Sequence, residues 1–462
     1  MMNKEDPRYI WVSVDENIDA DGSYDNPFSS ISRAVELAQP GQAVILKQGK
    51  YIGDLTVQSG GTMDKPLRIM AEDGANVQIA EACWYFYDVT DIICSGIEFL
   101  NSPGMSIAVM GKCERNRFEF LKFINCSIAK ESSGTLFFGG SGHSCNIVES
   151  CCFEHTPDII EKSGKTGVSA GIMIANGDLA NGEANRNHII SKNRISGYDY
   201  GILLGSSDSA GGECGHRVVY NTIERCGIEG IMVRCGDTLV KGNIVRNCAN
   251  QSISIAIGAG SFVEDNRIVD CGNGISINGK GHTVANNCIV RCDKNAVRIL
   301  SNKIKDLESA SNAVVEQNTI VIGENAKGAG IVIEPGTTCI VRKNLFHGKG
   351  RPYCFDENRT DVTAVGTSRA SGHFIMENFV SGLEEDIDGC NKGNVSFVSE
   401  PFDNYTNESG WGAQGWVLSP EAFDPGKKDL VEYDNGSLAN SYPTEEEIAV
   451  DKDFAERMMF ME

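Results

Sequence analysis

Apolar and polar positions alternate in short bursts along most of this chain, and the bursts repeat. Around Asn221 to Cys292 the segments VVYNTIERCGIEGIMV, VKGNIVRNCANQSISI, VEDNRIVDCGNGISI and VANNCIVRCDKNAVRI follow one another on one skeleton. Asparagine recurs at Asn221, Asn243, Asn266 and Asn287, and a cysteine follows each after five residues, at Cys226, Cys248, Cys271 and Cys292. Each unit holds two or three runs rich in Ile and Val, too short for helices. Between them lie Gly, Asn and Asp, which tolerate tight, left-handed turns. A period of about 22 residues built from such runs predicts one coil per repeat, stacked into a solenoid. The expected fold class is all-β: a right-handed parallel β-helix with an N-terminal capping helix.

One strand can be followed from coil to coil. Its second inward residue falls at Val109, Phe138, Ile174, Leu204, Val233, Ile255, Ile277, Ile299 and Ile333. Four consecutive rungs between Val109 and Val233 carry 7 to 14 residues beyond the minimal coil. Extra residues in a solenoid become loops on one face, and stacked loops build the walls of a cleft. A second long rung lies between Ile299 and Ile333.

The chain divides into an N-terminal cap with the first coils (1–80), the β-helix (81–400) and a C-terminal cap with an acidic tail (401–462). In the first part, Ser29 to Gln39 reads as a short amphipathic helix with Ile31, Ala34, Val35 and Ala38 on one face. Ser29 or Ser30 caps its start and Pro40-Gly41 ends it. Such a helix covers an open core end. In the last part, Trp411 and Trp416 are expected to pack over the final coils.

The opening segment DGSYDNPFSSISRAVELAQPGQAVILKQGKY, followed by SGGTMDKPLRIMAEDGANVQI, resembles the N-terminal cap and first coils of right-handed β-helix carbohydrate-active enzymes, the pectin-lyase-like superfamily. The resemblance spans roughly residues 9 to 380. It implies a poly- or oligosaccharide substrate and a lyase, epimerase or glycoside hydrolase activity, although the same coils also serve in non-catalytic phage and surface proteins.

Composition narrows the partners. A formal net charge of −22 argues against nucleic acid and anionic membrane. No apolar run is long enough to cross a membrane, and the start, MMNKEDPRYIWVSV, has no signal-peptide core, which places the protein in the cytoplasm as an expectation. Seventeen cysteines without a CxxC, recurring with the repeat, read as free buried thiols.

Candidate chemistry sits in the long rungs. Asp178, Asp208 and Asp237 each lie four residues after the second inward residue of their rung. Glu183 and Glu213 lie nine after theirs. Aspartates stacked about 4.8 Å apart repel, so the column points to a hard cation, Ca²⁺, or to a shared proton. A capping role for each Asp in its own turn is the alternative. Arg234 follows Val233 and should face outward, flanked by small residues at Ala175, Gly205 and Ala256, where it can grip a carboxylate. IMVRCG followed by VKGNIV is similar to the strand bearing a catalytic arginine in alginate and chondroitin lyases. Those enzymes pair it with a lysine on the preceding coil, where this chain reads GGECGHRVVYN. His216 therefore stands as the candidate base, with Asp208 beside it. Arg217, His188 and Tyr200 stand as sugar contacts. The leading expectation is Ca²⁺-assisted β-elimination of a uronate-containing glycan. The alternatives are a hydrolase using paired carboxylates on the same face and a non-catalytic glycan-binding rod.

Overall fold

The computed structural model describes residues 3–15, 19–128, 133–157, 168–205, 212–301, 309–323, 325–334 and 337–348. It adds the strands Arg351–Phe355, His373–Met376, Asn378–Ser381 and Val395–Phe397. The expected cap at 401–462, with Trp411 and Trp416, lies outside the described residues.

Short Val/Ile-rich runs become strands because each is too short to bury itself and pairs instead with its counterpart one coil away. Three long parallel sheets result, of 14, 14 and 12 strands. We call them A, B and C in the order one coil visits them. Arg217–Val219 lies in A, Thr222–Glu224 in B and Glu229–Val233 in C, and the chain re-enters A at Leu239–Lys241. The inward column is formed as expected. Val109, Phe138, Ile174, Leu204, Val233, Ile255, Ile277, Ile299 and Ile333 pair in register, and all are at most 1% exposed. In the early coils the interior is filled by stacked rings, Phe99 on Phe123 on Phe153, and later by Ile and Val. One helix, Ile31–Leu37, is capped by the Ser30 side chain on the Arg33 amide and lends Ala34 and Val35 to the same core. No helix among the described residues is long and apolar enough to cross a membrane.

The turn from A to B is set by asparagine. Asn193, Asn221, Asn243, Asn266, Asn287, Asn318 and Asn344 are buried in one column. In each step from Asn193 to Asn344, the backbone N–H and the Nδ2 of one asparagine both donate to the Oδ1 of the next, at 2.9–3.0 Å. Nδ2 also reaches a carbonyl one coil back, as from Asn243 to Val218 at 2.8 Å. The residue before each asparagine is often left-handed, as at Tyr220, Asp265 and Asn286. The cysteines five residues on are buried and free, so they serve as small apolar filler.

Replacing Asn243 by alanine removes the acceptor for two buried donors of Asn221 and the donor to Val218. The expected cost is about 3 kcal/mol or more. A urea titration should show a lowered midpoint for Asn243→Ala, and an unchanged midpoint would refute the account of the ladder.

Candidate functional site on the outer face of sheet C

Sheet C is unusual on its outside. Leu203 and Met232 point away from the core yet are only 8% exposed, and they cluster with Ala170, Met173, Tyr200 and Ala256. Glycine redirects the start of each strand. A Cβ at Gly201 would stand 2.5 Å from the Gly230 carbonyl, and one at Gly230 would stand 2.6 Å from that of Ser252. Without a side chain at these places the rungs close up. Tyr200, Glu229 and Gln251, each just before this tight step, pair in register. Gln251 accepts from the Ser276 hydroxyl at 2.8 Å, and Ser276 is itself outward on the next rung.

Electrostatics bind three of these side chains into one group. One carboxylate oxygen of Glu229, Oε2, is buried and has no hydrogen-bond partner. Burial pushes this carboxyl up to about 7, against the pull of the Arg234 guanidinium. The Tyr200 phenol is also raised, first by burial and then by Glu229, while Arg234 opposes it. A carboxyl poised near neutrality beside a phenol and a guanidinium can exchange a proton at ordinary pH. Sequence reasoning missed Glu229. The signal was present, since Glu229 opens the strand that Arg234 directly follows, and it pairs with Tyr200.

The other nominated residues are placed differently. Asp237 is the left-handed residue two before its strand in sheet A. Gly215 and Asn187 hold that place one and two coils earlier, and Gly260 and Gly281 hold it later. Asp237 is therefore not stacked on Asp178. The expected column fails because counting from the end of strand C ignores residues inserted before the turn. Asp178 lies in an inserted antiparallel pair, Gly177–Asp178 with Glu183–Ala184, where it accepts from the backbone and side chain of Asn181 at 3.2 and 2.7 Å. Those bonds hold its carboxyl below the usual range. Glu183 pairs with Lys112 at 2.9 Å. Asp208 lies outside the described residues, as do the inserted segments 129–132, 158–167, 206–211 and 302–308.

His188 and His216 are corrections. Both are 1% exposed and stack at 5.1 Å in a second turn column, from C to A. There the backbone N–H of each residue donates to the side chain one coil on: Asn116 to Asn146, Asn146 to His188, His188 to His216. His188 is held well below the ordinary imidazole range, first by burial and then by His216. Neither ring faces the outer surface of sheet C, so His216 is not placed to act as its base. Arg217, Glu213 and Asp237 line a cavity of about 660 Å³ at the C-to-A turn, together with Arg186, Cys145 and Cys214.

Among the described residues no set of carboxylates converges as calcium would require, and Asp208, one of the expected ligands, lies outside them. Hard cations take several converging oxygens. Among the described residues, the grouping whose donor atoms converge as a metal would require is Cys214, His216 and Cys235, a soft set. The carboxylates at 178 and 183 are already engaged.

A family described as a right handed beta helix region matches residues 209–369. The chain is a right-handed parallel β-helix. Solved β-helices similar to it include a PL6-family alginate lyase, AlyGC, at 15% identity and a TM-score of 0.63, covering 91% of this chain and 58% of that one. A PL6-family polysaccharide lyase from Pseudopedobacter saltans is 15% identical over 84% of this chain and 96% of its own, with a TM-score of 0.57. A mannuronic acid specific family 6 lyase from human gut microbiota is 16% identical over 90% and 95%, also at 0.57. The β-helix thus spans little more than half the length of AlyGC. At these identities the likeness is one of fold. No curated protein sequence matches the chain.

The raised carboxyl of Glu229 carries a stability signature. Its folded value of about 7 exceeds the ordinary 4.5. Its contribution is therefore fully present below 4.5 and is lost as pH rises through 7. Over that window wild type should lose stability relative to Glu229→Gln, measured as diverging urea midpoints. Parallel midpoints would place the carboxyl in water.

Proposed function

We propose that this β-helix is a polysaccharide lyase acting on uronate-containing chains through the outer face of sheet C. The observation that carries the proposal is the joint placement of Tyr200, Glu229 and Arg234. Neighbours of the same fold that are alginate and mannuronate lyases support it.

β-Elimination at a uronate needs three things: the substrate carboxylate neutralised, a base for the C5 proton, and a proton for the departing glycosidic oxygen. Arg234 supplies a bidentate grip on the carboxylate. Glu229, poised at about 7, is charged in a useful fraction near neutral pH and takes the C5 proton. The electrons left behind form the C4–C5 double bond and the C4–O bond breaks. Tyr200, kept protonated by its raised value, gives its proton to the leaving oxygen. Apolar Leu203 and Met232 beneath them offer a dry floor for a sugar ring. No step is assigned to calcium.

A panel of polyuronates and neutral glycans tests this, read both by enone absorbance in the ultraviolet and by reducing ends. Absorbance on a polyuronate is expected, with kcat/KM lower by about a hundredfold or more in Glu229→Gln and in Arg234→Ala. The basic limb set by Tyr200 should vanish in Tyr200→Phe. Reducing ends without absorbance would replace elimination by hydrolysis.

A further inference from the structure

The C-to-A turn holds a second chemical cluster that the outer face of sheet C does not use. The donor atoms of Cys214, His216 and Cys235 lie within 4.8 Å of one another, and all three residues are buried. His216 Nδ1 accepts the His188 backbone N–H at 3.3 Å, so the ring carries its proton on Nε2. That Nε2–H is buried and makes no hydrogen bond of ordinary length, while the sulfurs of Cys214 and Cys235 lie near the ring. A protonated Nε2 cannot ligate a metal, but it is the donor that an anionic sulfur would need. Cys214 lines the cavity, where Arg186 and Arg217 add positive charge. Cys235 lies behind it at 0% exposure, its sulfur 3.4 Å from the Thr238 hydroxyl.

We propose that Cys214 and Cys235 form a thiolate–thiol pair beneath this cavity, with Cys214 the nucleophile, His216 Nε2–H its partner, and hydrogen peroxide the class of reagent it takes. The hydrogen bond from Cys235 draws the Cys214 thiol below its ordinary range against the opposing effect of burial, and the His216 ring adds to the same pull. Cys235 is raised, first by Cys214 and then by burial. The steps balance. The Cys214 thiolate attacks one peroxide oxygen, the O–O bond breaks, and the departing hydroxide takes a solvent proton and leaves as water. The Cys214 sulfur, oxidised by two electrons, is a sulfenic acid. The Cys235 sulfur then attacks it, the S–O bond breaks, and the hydroxyl leaves with the Cys235 proton as a second water. A Cys214–Cys235 disulfide remains. The two sulfurs lie within 4.8 Å of one another before any reaction.

Cys145 is an internal control. It lines the same cavity, but burial raises its thiol above the ordinary range. His216→Asn is the informative variant, because Asn116 and Asn146 already fill that place in the turn column and keep its acceptor while lacking the Nε2–H. The experiment exposes the folded, chelator-treated protein to limiting peroxide and maps the cysteines by mass. The expected product is a cross-linked Cys214–Cys235 peptide pair lighter by two hydrogens, with Cys145 still reduced. In Cys235→Ala a trapped sulfenic acid should appear at Cys214. In His216→Asn, with an unchanged urea midpoint, Cys214 oxidation at neutral pH should slow by about tenfold. Oxidation of Cys145 as fast as Cys214, or reaction at Cys214 only on unfolding, would overturn the proposal. An undiminished rate in a folded His216→Asn would overturn the role given to the imidazole.

Discussion

The buried asparagine column is the constraint from which the rest of this rod follows. Parallel strands alone would leave each coil free to turn where its residues allow. A buried amide that must satisfy two donors from one side and give its own to the other leaves no such freedom, because each missed partner costs about 1 kcal/mol or more. The column fixes the point of turning in seven coils, from Asn193 to Asn344. Once that point is fixed, every inward and outward position of the next strand is fixed too.

Function enters where a column changes its residue. A solenoid stacks like on like, so a chemical site needs different residues on adjacent rungs. Tyr200, Glu229 and Gln251 occupy one register line on three successive coils. The glycines that follow Tyr200 and Glu229 permit the close approach of rungs that presses these polar groups together. A carboxyl buried without a partner is costly to keep, and such a cost at a surface otherwise tiled with Leu, Met and Ser is what distinguishes this place from the rest of the rod. The second turn column shows the same logic. It runs Asn116, Asn146, His188, His216, and among the described residues it is at His216 that two cysteines gather around the ring.

Much of the scaffold was legible in the chain because a period of about 22 residues leaves inward positions unambiguous. The Ile and Val column and the asparagine ladder were both countable from the repeat. The aspartate column was misread because its count began at the strand before the insertions. The fixed landmark lies after them, at the left-handed residue two before the next strand, and Asp237 is that residue while Asp178 belongs to an inserted hairpin. His188 and His216 were taken for cleft residues because histidine does not look like asparagine in a sequence. In the turn its Nδ1 offers the same acceptor as an asparagine Oδ1. Glu229 was not singled out, since its burial depends on what the neighbouring rungs place around it.

The two polar clusters differ in the direction from which charge is stabilised, and this separates their chemistry. At Glu229 burial favours the neutral form and Arg234 alone opposes it, so the group sits near its midpoint at neutral pH, where proton exchange with a substrate costs little. At Cys214 a neighbouring S–H, the His216 ring and the Arg186 guanidinium all favour the anion, and burial is overcome. The first arrangement suits transient protonation of something that comes and goes. The second suits a standing nucleophile. Both arise from the same rule of stacking, in which a residue's charge state is set less by its own rung than by the side chains one coil above and below.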